Sequence, residues 1–140
     1  MDSYDSLQRD NEILRNTNET YYFQVKKLTE ENQSYLEYIK EQIINGLIQI
    51  EDCVKLSLEL PTLEKHRSIK SKNPEVENES LRIISNLYYE QIAELKSKNS
   101  KCLSFIIEQI KLGKLTVEND EILEMIEQNL HLKSRINESD

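Results

Sequence analysis

Histidine, cysteine and paired carboxylates are the residues here that could do chemistry, and their spacing withholds it. His66 and His131 are the two imidazoles, and neither has a cysteine or a second histidine three or four residues away to complete a zinc site. Cys53 and Cys102 lie far apart in apolar helical patterns, without the Cys-x-x-Cys spacing of a redox or metal pair. They read as small buried hydrophobes of a reducing compartment. Carboxylate pairs such as Glu30-Glu31 fall on exposed helix faces, where water keeps them ionised and no raised pKa for acid catalysis is implied. A phosphate loop needs several glycines ahead of a helix, and the chain has 2 in all. No catalytic residue, metal ligand or cofactor site is assigned, and the chain is expected not to be an enzyme. The densest positive charge is Lys65, His66, Arg67, Lys70 and Lys72. Lys65, Arg67, Lys70 and Lys72 could meet phosphate or an acidic partner. No aromatic residue interleaves them for base stacking, so a solvated loop is the favoured reading and direct DNA contact is disfavoured.

Composition asks for long two-faced helices rather than a thick core. Charged residues make up 31% and hydrophobic ones 37%, with 2 Phe and no Trp. A net charge of -8 opposes broad binding to DNA or anionic lipid. The first residues are polar and acidic, and no apolar run approaches the roughly 18 residues of a membrane span, so an intracellular protein without membrane contact is expected. Asn18-Glu19-Thr20 and Asn78-Glu79-Ser80 fit the glycosylation pattern and read as chance matches in such a chain.

The first forty or so residues carry countable heptads. Leu7, Leu14, Tyr21, Leu28 and Tyr35 form one set; Tyr4, Asn11, Asn18, Val25, Asn32 and Ile39 form the other. These are the d and a positions of a two-stranded coiled coil. Asn at an a position costs stability but penalises wrong registers, because its amide needs a polar partner at the same level of the facing strand. Asn18 is therefore expected to face a polar group of a partner strand. After Ile39 the stripe widens through Ile43, Ile44, Leu47, Ile48, Ile50 and Val54, which requires more than one packed neighbour. Gly46, inside that stretch, is read as a point of close helix approach. The helix is expected to reach Leu58 and stop before Pro61.

Residues 59–73 form a polar, basic linker. Asn73-Pro74-Glu75 starts a second helix, with Asn as cap and Pro in the first turn. Its apolar face includes Leu81, Ile84, Tyr88 and Ile92, then Ile106, Ile107 and Ile110, on either side of a polar interval from Lys96 to Lys101. Gly113 supplies a left-handed corner, and Thr116 or Asn119 can cap a last, acidic helix that carries Ile122, Leu123, Ile126 and Leu130. Tyr22, Tyr38 and Tyr89, beside the main stripes, suit a further contact.

The expected class is all-α: an elongated coiled-coil helix over 1–58, the 59–73 linker, a C-terminal helix-turn-helix over 74–135 for partner docking, and a frayed tail over 136–140. A helix from Tyr4 to Leu58 would run roughly 80 Å, against a radius of gyration of about 14 Å for a compact domain of this size. Its seam is therefore expected to need another chain, in parallel or antiparallel sense, with the linker permitting the second helix either to fold back on the first or not.

The C-terminal third resembles a known family. Asn78-Glu79-Ser80-Leu81-Arg82-Ile83-Ile84, Ile110-Lys111-Leu112-Gly113, Asn119-Asp120-Glu121 and Ile122-Leu123-Glu124-Met125-Ile126 are similar in pattern to the end of centromere protein H. The resemblance is not a strict motif and needs small gaps. It implies a short, fungal-type member: a non-catalytic structural subunit of the inner kinetochore, in the nucleus, within the constitutive centromere-associated network. It further implies a coiled-coil partner like centromere protein K and a helical-repeat partner like centromere protein I, with no small molecule. The competing expectations are a subunit of a vesicle tether or transcription scaffold, and a nucleic-acid module using the 65–72 patch.

Overall fold

A computed structural model describes residues 3–53, 56–67, 71–116 and 122–128. The chain is all-α, with no strand among the described residues. Helix α1 covers Ser3–Ile44, a 3-10 turn follows at Ile50–Cys53, and helix α2 covers Pro74–Lys111. Residues 122–128 are helical and are called α3. Lys70, Asn119, Leu130, His131 and the 136–140 tail lie outside the described residues.

Helix α1 contains neither glycine nor proline over its 42 residues, and it ends where Gly46 takes a φ of +77°. The Gly46 amide donates to the Ile43 carbonyl at 3.0 Å and the Leu47 amide to that of Gln42 at 3.0 Å, the paired bonds of a Schellman cap. Two expectations are corrected here. The first helix stops at Ile44 rather than Leu58, and Gly46 is present for its backbone angle rather than for close approach. A Cβ built there would meet nothing within 4 Å. The same device closes α2: Gly113 has a φ of +77°, its amide donates to Ile110, and Lys114 donates to Gln109, both at 3.0 Å. Helix α2 begins as its sequence asks, with the Glu75 amide on the Asn73 side-chain oxygen at 3.0 Å and Glu75 and Glu77 in the first turn. It continues unbroken through Lys96 to Lys101.

Two compact units divide the chain. Unit 1 joins Met1–Glu30 to Pro61–Ser97, and unit 2 joins Glu31–Leu60 to Lys98–Asp140. In unit 1 the early part of α1 lies along the early part of α2. Val25, Ile84, Tyr88, Ile92 and Leu95 form the core, flanked by Tyr21, Tyr22 and Leu28. Asn11 meets Asn78 and Asn18 meets Ser85, each pair 67 residues apart, so the two helices advance together and are parallel. Tight turns join antiparallel helices; a parallel pair in one chain requires a connection that runs back along it. Here residues 61–67 supply a strap on this unit, anchored where the His66 amide donates to the Tyr88 hydroxyl at 2.9 Å.

In unit 2 the later parts of both helices share a core with the connection and with α3. Tyr35, Leu36, Ile39, Cys102, Leu103 and Ile106 come from the helix pair, Ile48 and Cys53 from the connection, and Leu115, Ile122 and Ile126 from beyond Gly113. This is why the stripe widens after Ile39: in unit 2 a helix pair is covered by further segments of the same chain.

Candidate functional site: a polar seam and a basic cleft

The heptad positions of α1 find their partners within the chain. Asn11, Asn18, Val25, Asn32, Tyr35 and Ile39 are all buried, and Leu7, Leu14, Tyr21 and Leu28 are half-buried. The expectation that another chain must cover this seam is corrected: within each unit α2 covers it. Advancing the a positions by the 67-residue offset gives Asn78, Ser85, Ile92, Asn99 and Ile106; advancing the d positions gives Leu81, Tyr88, Leu95 and Cys102. All of these except Ser85 are buried; Ser85, and Ser71 and Pro74 opposite the first a and d positions Tyr4 and Leu7, are half-buried. The second heptad set was present in the sequence, hidden because Asn78, Ser85 and Asn99 are polar and do not read as an apolar stripe.

Polar faces polar along the seam. In unit 1 the Asn78 amide donates to the Asn11 oxygen at 2.8 Å, and the Asn11 amide donates to the Pro74 carbonyl at 3.0 Å. Asn18 donates to the Leu81 carbonyl at 3.1 Å and accepts from the Ser85 hydroxyl. The polar group expected opposite Asn18 is thus supplied by the chain's own α2. In unit 2 the Asn32 amide donates to the Asn99 oxygen at 2.8 Å, with both residues buried. Burial of Asn18 and Asn78 also leaves the two glycosylation-like triplets without an accessible acceptor. Beside the seam Arg15 pairs with Glu77, an e-to-g′ ion pair of a parallel coil. With the Arg15 side chain 48% exposed, it contributes at most about 1 kcal/mol.

The residues expected to dock partners are mostly committed to these cores. Leu81, Ile84, Tyr88 and Ile92 are buried in unit 1, and Ile106, Ile122 and Ile126 in unit 2. Ile107 and Ile110 are half-buried against the unit 2 core, while Leu123 is 40% exposed. Of the three tyrosines suited to a further contact, Tyr38 is buried in unit 2, Tyr22 is half-buried, and Tyr89 is 66% exposed.

Burial favours the neutral form of Cys53, Cys102 and Tyr35 in the unit 2 core. Burial, then Cys53, pushes the Cys102 thiol up to about 11, and burial, then Asp52, raises Cys53. Burial, then Glu31 and Cys102, pushes Tyr35 up to about 12. A protonated thiol is a poor nucleophile and metal ligand. No group of three His, Cys, Asp or Glu side chains that could hold a metal occurs among the described residues. No helix of the described residues is long and apolar enough to cross a membrane.

Part of the basic patch is gathered into a cleft in unit 1. Lys65 places its Nζ 5.2 Å from the centre of the Tyr22 ring, a cation-π contact. His66 lies against Tyr88 with ring centres 5.0 Å apart. Together with Arg67, and with Arg15 from α1, they line a cleft of about 580 Å³. Lys72 lines a separate depression near Tyr4, Pro74 and Glu77. Arg15 and Tyr22 were not expected in this setting, since only the heptad register brings the e face of α1 under the strap.

Compared with known proteins, the chain matches no family model, no curated protein and no solved structure.

Proposed function

We propose that this chain is a non-catalytic structural subunit of the inner kinetochore, and that its partners dock on the outside of a helix pair that has already closed on itself. The observation that carries the assembly role is an apolar stripe left over after the cores are filled. Val76, Ile83 and Leu87 are 43%, 55% and 43% exposed, and their spacing sets them on one face of α2 in unit 1. An exposed stripe of this kind along a helix marks a protein-binding face. The kinetochore as host is supported by the resemblance to centromere protein H. Ile83 lies within the Asn78–Ile84 segment that carries it. On this reading a centromere protein K-like helical subunit meets the stripe, and a centromere protein I-like helical-repeat subunit takes the surface around Leu123, which is 40% exposed.

The test is purification of the full chain from its own cells with stoichiometry of whatever accompanies it, alongside an Ile83→Asp/Leu87→Asp variant. Helical centromere subunits at equal stoichiometry, lost from the variant while its helix content and Tm stay unchanged, are the expected result. Accompanying subunits of a vesicle tether or transcription complex would move the chain to that host. Recovery of the chain alone, with salt-dependent DNA binding lost on neutralising Lys65 and Arg67, would replace assembly with nucleic-acid binding.

A further inference from the structure

The cleft under the strap in unit 1 carries a site that the assembly reading does not use. Its rim is cationic and comes from two separate segments, Arg15 on α1 and Lys65 and Arg67 on the strap; its apolar wall is chiefly the half-buried Tyr22, with Leu81 and Ile84 buried behind it. Glu19 also lines it, and Glu77 engages Arg15 from outside the lining. The three cations outnumber these two carboxylates. This is a locally positive place on a chain of net charge -8. Arg15 keeps donors to spare, because a guanidinium carries five N–H groups and its bond to Glu77 uses the Nη2 end.

The geometry points to a docking site for a short acidic peptide segment, with carboxylates held by Arg15, Lys65 and Arg67 and a neighbouring apolar side chain seated on the half-buried Tyr22 ring. Three features select this occupant over other anions. A free phosphate or sulfate would satisfy the rim and leave the apolar wall wet. Nucleic acid and anionic membrane present an extended array of charge, which the net charge of -8 over the chain disfavours. A peptide of a few residues is disfavoured less. The cleft of about 580 Å³ also has room for a few side chains, within the usual range for ligand sites. The strap is what makes the site, since without the return of residues 61–67 along the parallel pair Lys65 and Arg67 would not face Arg15. The site stands on unit 1 alone and does not depend on the kinetochore reading.

The probe is a fluorescein-labelled peptide, Asp-Glu-Leu-Glu-Asp-Phe-Glu, titrated with the full chain by fluorescence anisotropy at low and at physiological salt. Binding should weaken at least tenfold in Lys65→Glu/Arg67→Glu. It should hold within twofold in Lys27→Glu/Lys96→Glu, which carries the same charge change on exposed helix positions outside the cleft. Replacing Leu and Phe of the probe by Ser should weaken binding severalfold. Equal loss in both charge variants, or no saturable binding at low salt, overturns the site. Indifference to the Ser probe overturns the apolar anchor and leaves a simple anion site. Single-stranded DNA or phosphatidylserine vesicles that bind as tightly as the probe, through the same two residues, overturn the peptide as occupant.

Discussion

Removing the Asn32–Asn99 pair tests whether the seam is read as a register code. In the fold the Asn32 amide donates to Asn99 at 2.8 Å, with 2% and 7% of the two residues exposed. Asn32→Ala takes the donor from the buried Asn99 oxygen and should cost about 1–3 kcal/mol. Asn99→Ala should cost about the same, and Asn32→Ala/Asn99→Ala less than the sum, with a coupling of about 1–2 kcal/mol. Asn32→Leu/Asn99→Leu should be about 1–3 kcal/mol more stable than the natural chain, because two amides are no longer desolvated and apolar area replaces them. That gain has a cost in specificity. In register, Asn faces Asn or Ser, and Val25 and Ile39 align with Ile92 and Ile106. Slipped by one heptad, Val25 would face Ser85, Asn32 would face Ile92 and Ile39 would face Asn99, and at about 1–3 kcal/mol per stranded polar group the slip costs about 3–9 kcal/mol. The double leucine variant removes part of that penalty and should populate additional registers or self-associate. Urea unfolding followed by circular dichroism, with sedimentation equilibrium for mass, measures all of this. Additivity of the two alanine variants within about 0.3 kcal/mol would show that the amides do not face each other and would sink the register argument.

The other outcomes are narrower. Gly46→Ala places a β-carbon at a φ of +77° and should lower stability by about 1 kcal/mol although nothing crowds the site, as a shifted urea midpoint with unchanged slope; no shift would mean that α1 ends otherwise. Cys102, pushed up to about 11, and Cys53, raised by burial, should react with Ellman's reagent at pH 8 only after urea is added; rapid labelling of the folded chain would contradict their place in the core. Tyr35 keeps its proton to about 12 in the fold against an ordinary 10.0, so between these values the folded state binds more protons and stability falls as pH rises. Burial raises Tyr88 as well, against the lowering effect of the His66 amide, and so acts in the same direction. The last part of the rise in tyrosinate absorbance should therefore coincide with loss of helix signal above pH 10, and ionisation of all 7 tyrosines with the helix signal untouched would exclude this coupling.

How far the sequence disclosed the fold turns on what a heptad pattern can state. The a and d positions of α1 are legible because period and residue type agree, and the Asn73 cap and Gly113 corner are legible because each has a local chemical reason. Gly46 misleads because its cue is the same as that of a glycine inside a helix. What decides between them is whether the wide stripe beyond it continues as helix, and Ile48 and Cys53 serve the unit 2 core from the connection instead. The docking surface suffers from the same ambiguity. Ile84, Ile106 and Ile122 are apolar at helical spacing whether their cover comes from a partner or from the chain itself, and here it comes from the chain.

The seam shows why cis and trans pairing could not be separated from α1 alone. Asn11, Asn18 and Asn32 require polar groups at three levels of a facing strand, and that requirement does not say which chain supplies them. The missing information lay 67 residues downstream, where Asn78, Ser85 and Asn99 meet those levels and Ile92 and Ile106 meet the apolar ones between. Two segments of one chain that match level for level have a high effective concentration for each other. A foreign strand would have to displace a complementary one already tethered, and would gain little by repeating the same contacts. Partners are therefore expected where the code is silent: on the exposed face of Val76, Ile83 and Leu87, and at the cleft that the return strap builds beside Arg15.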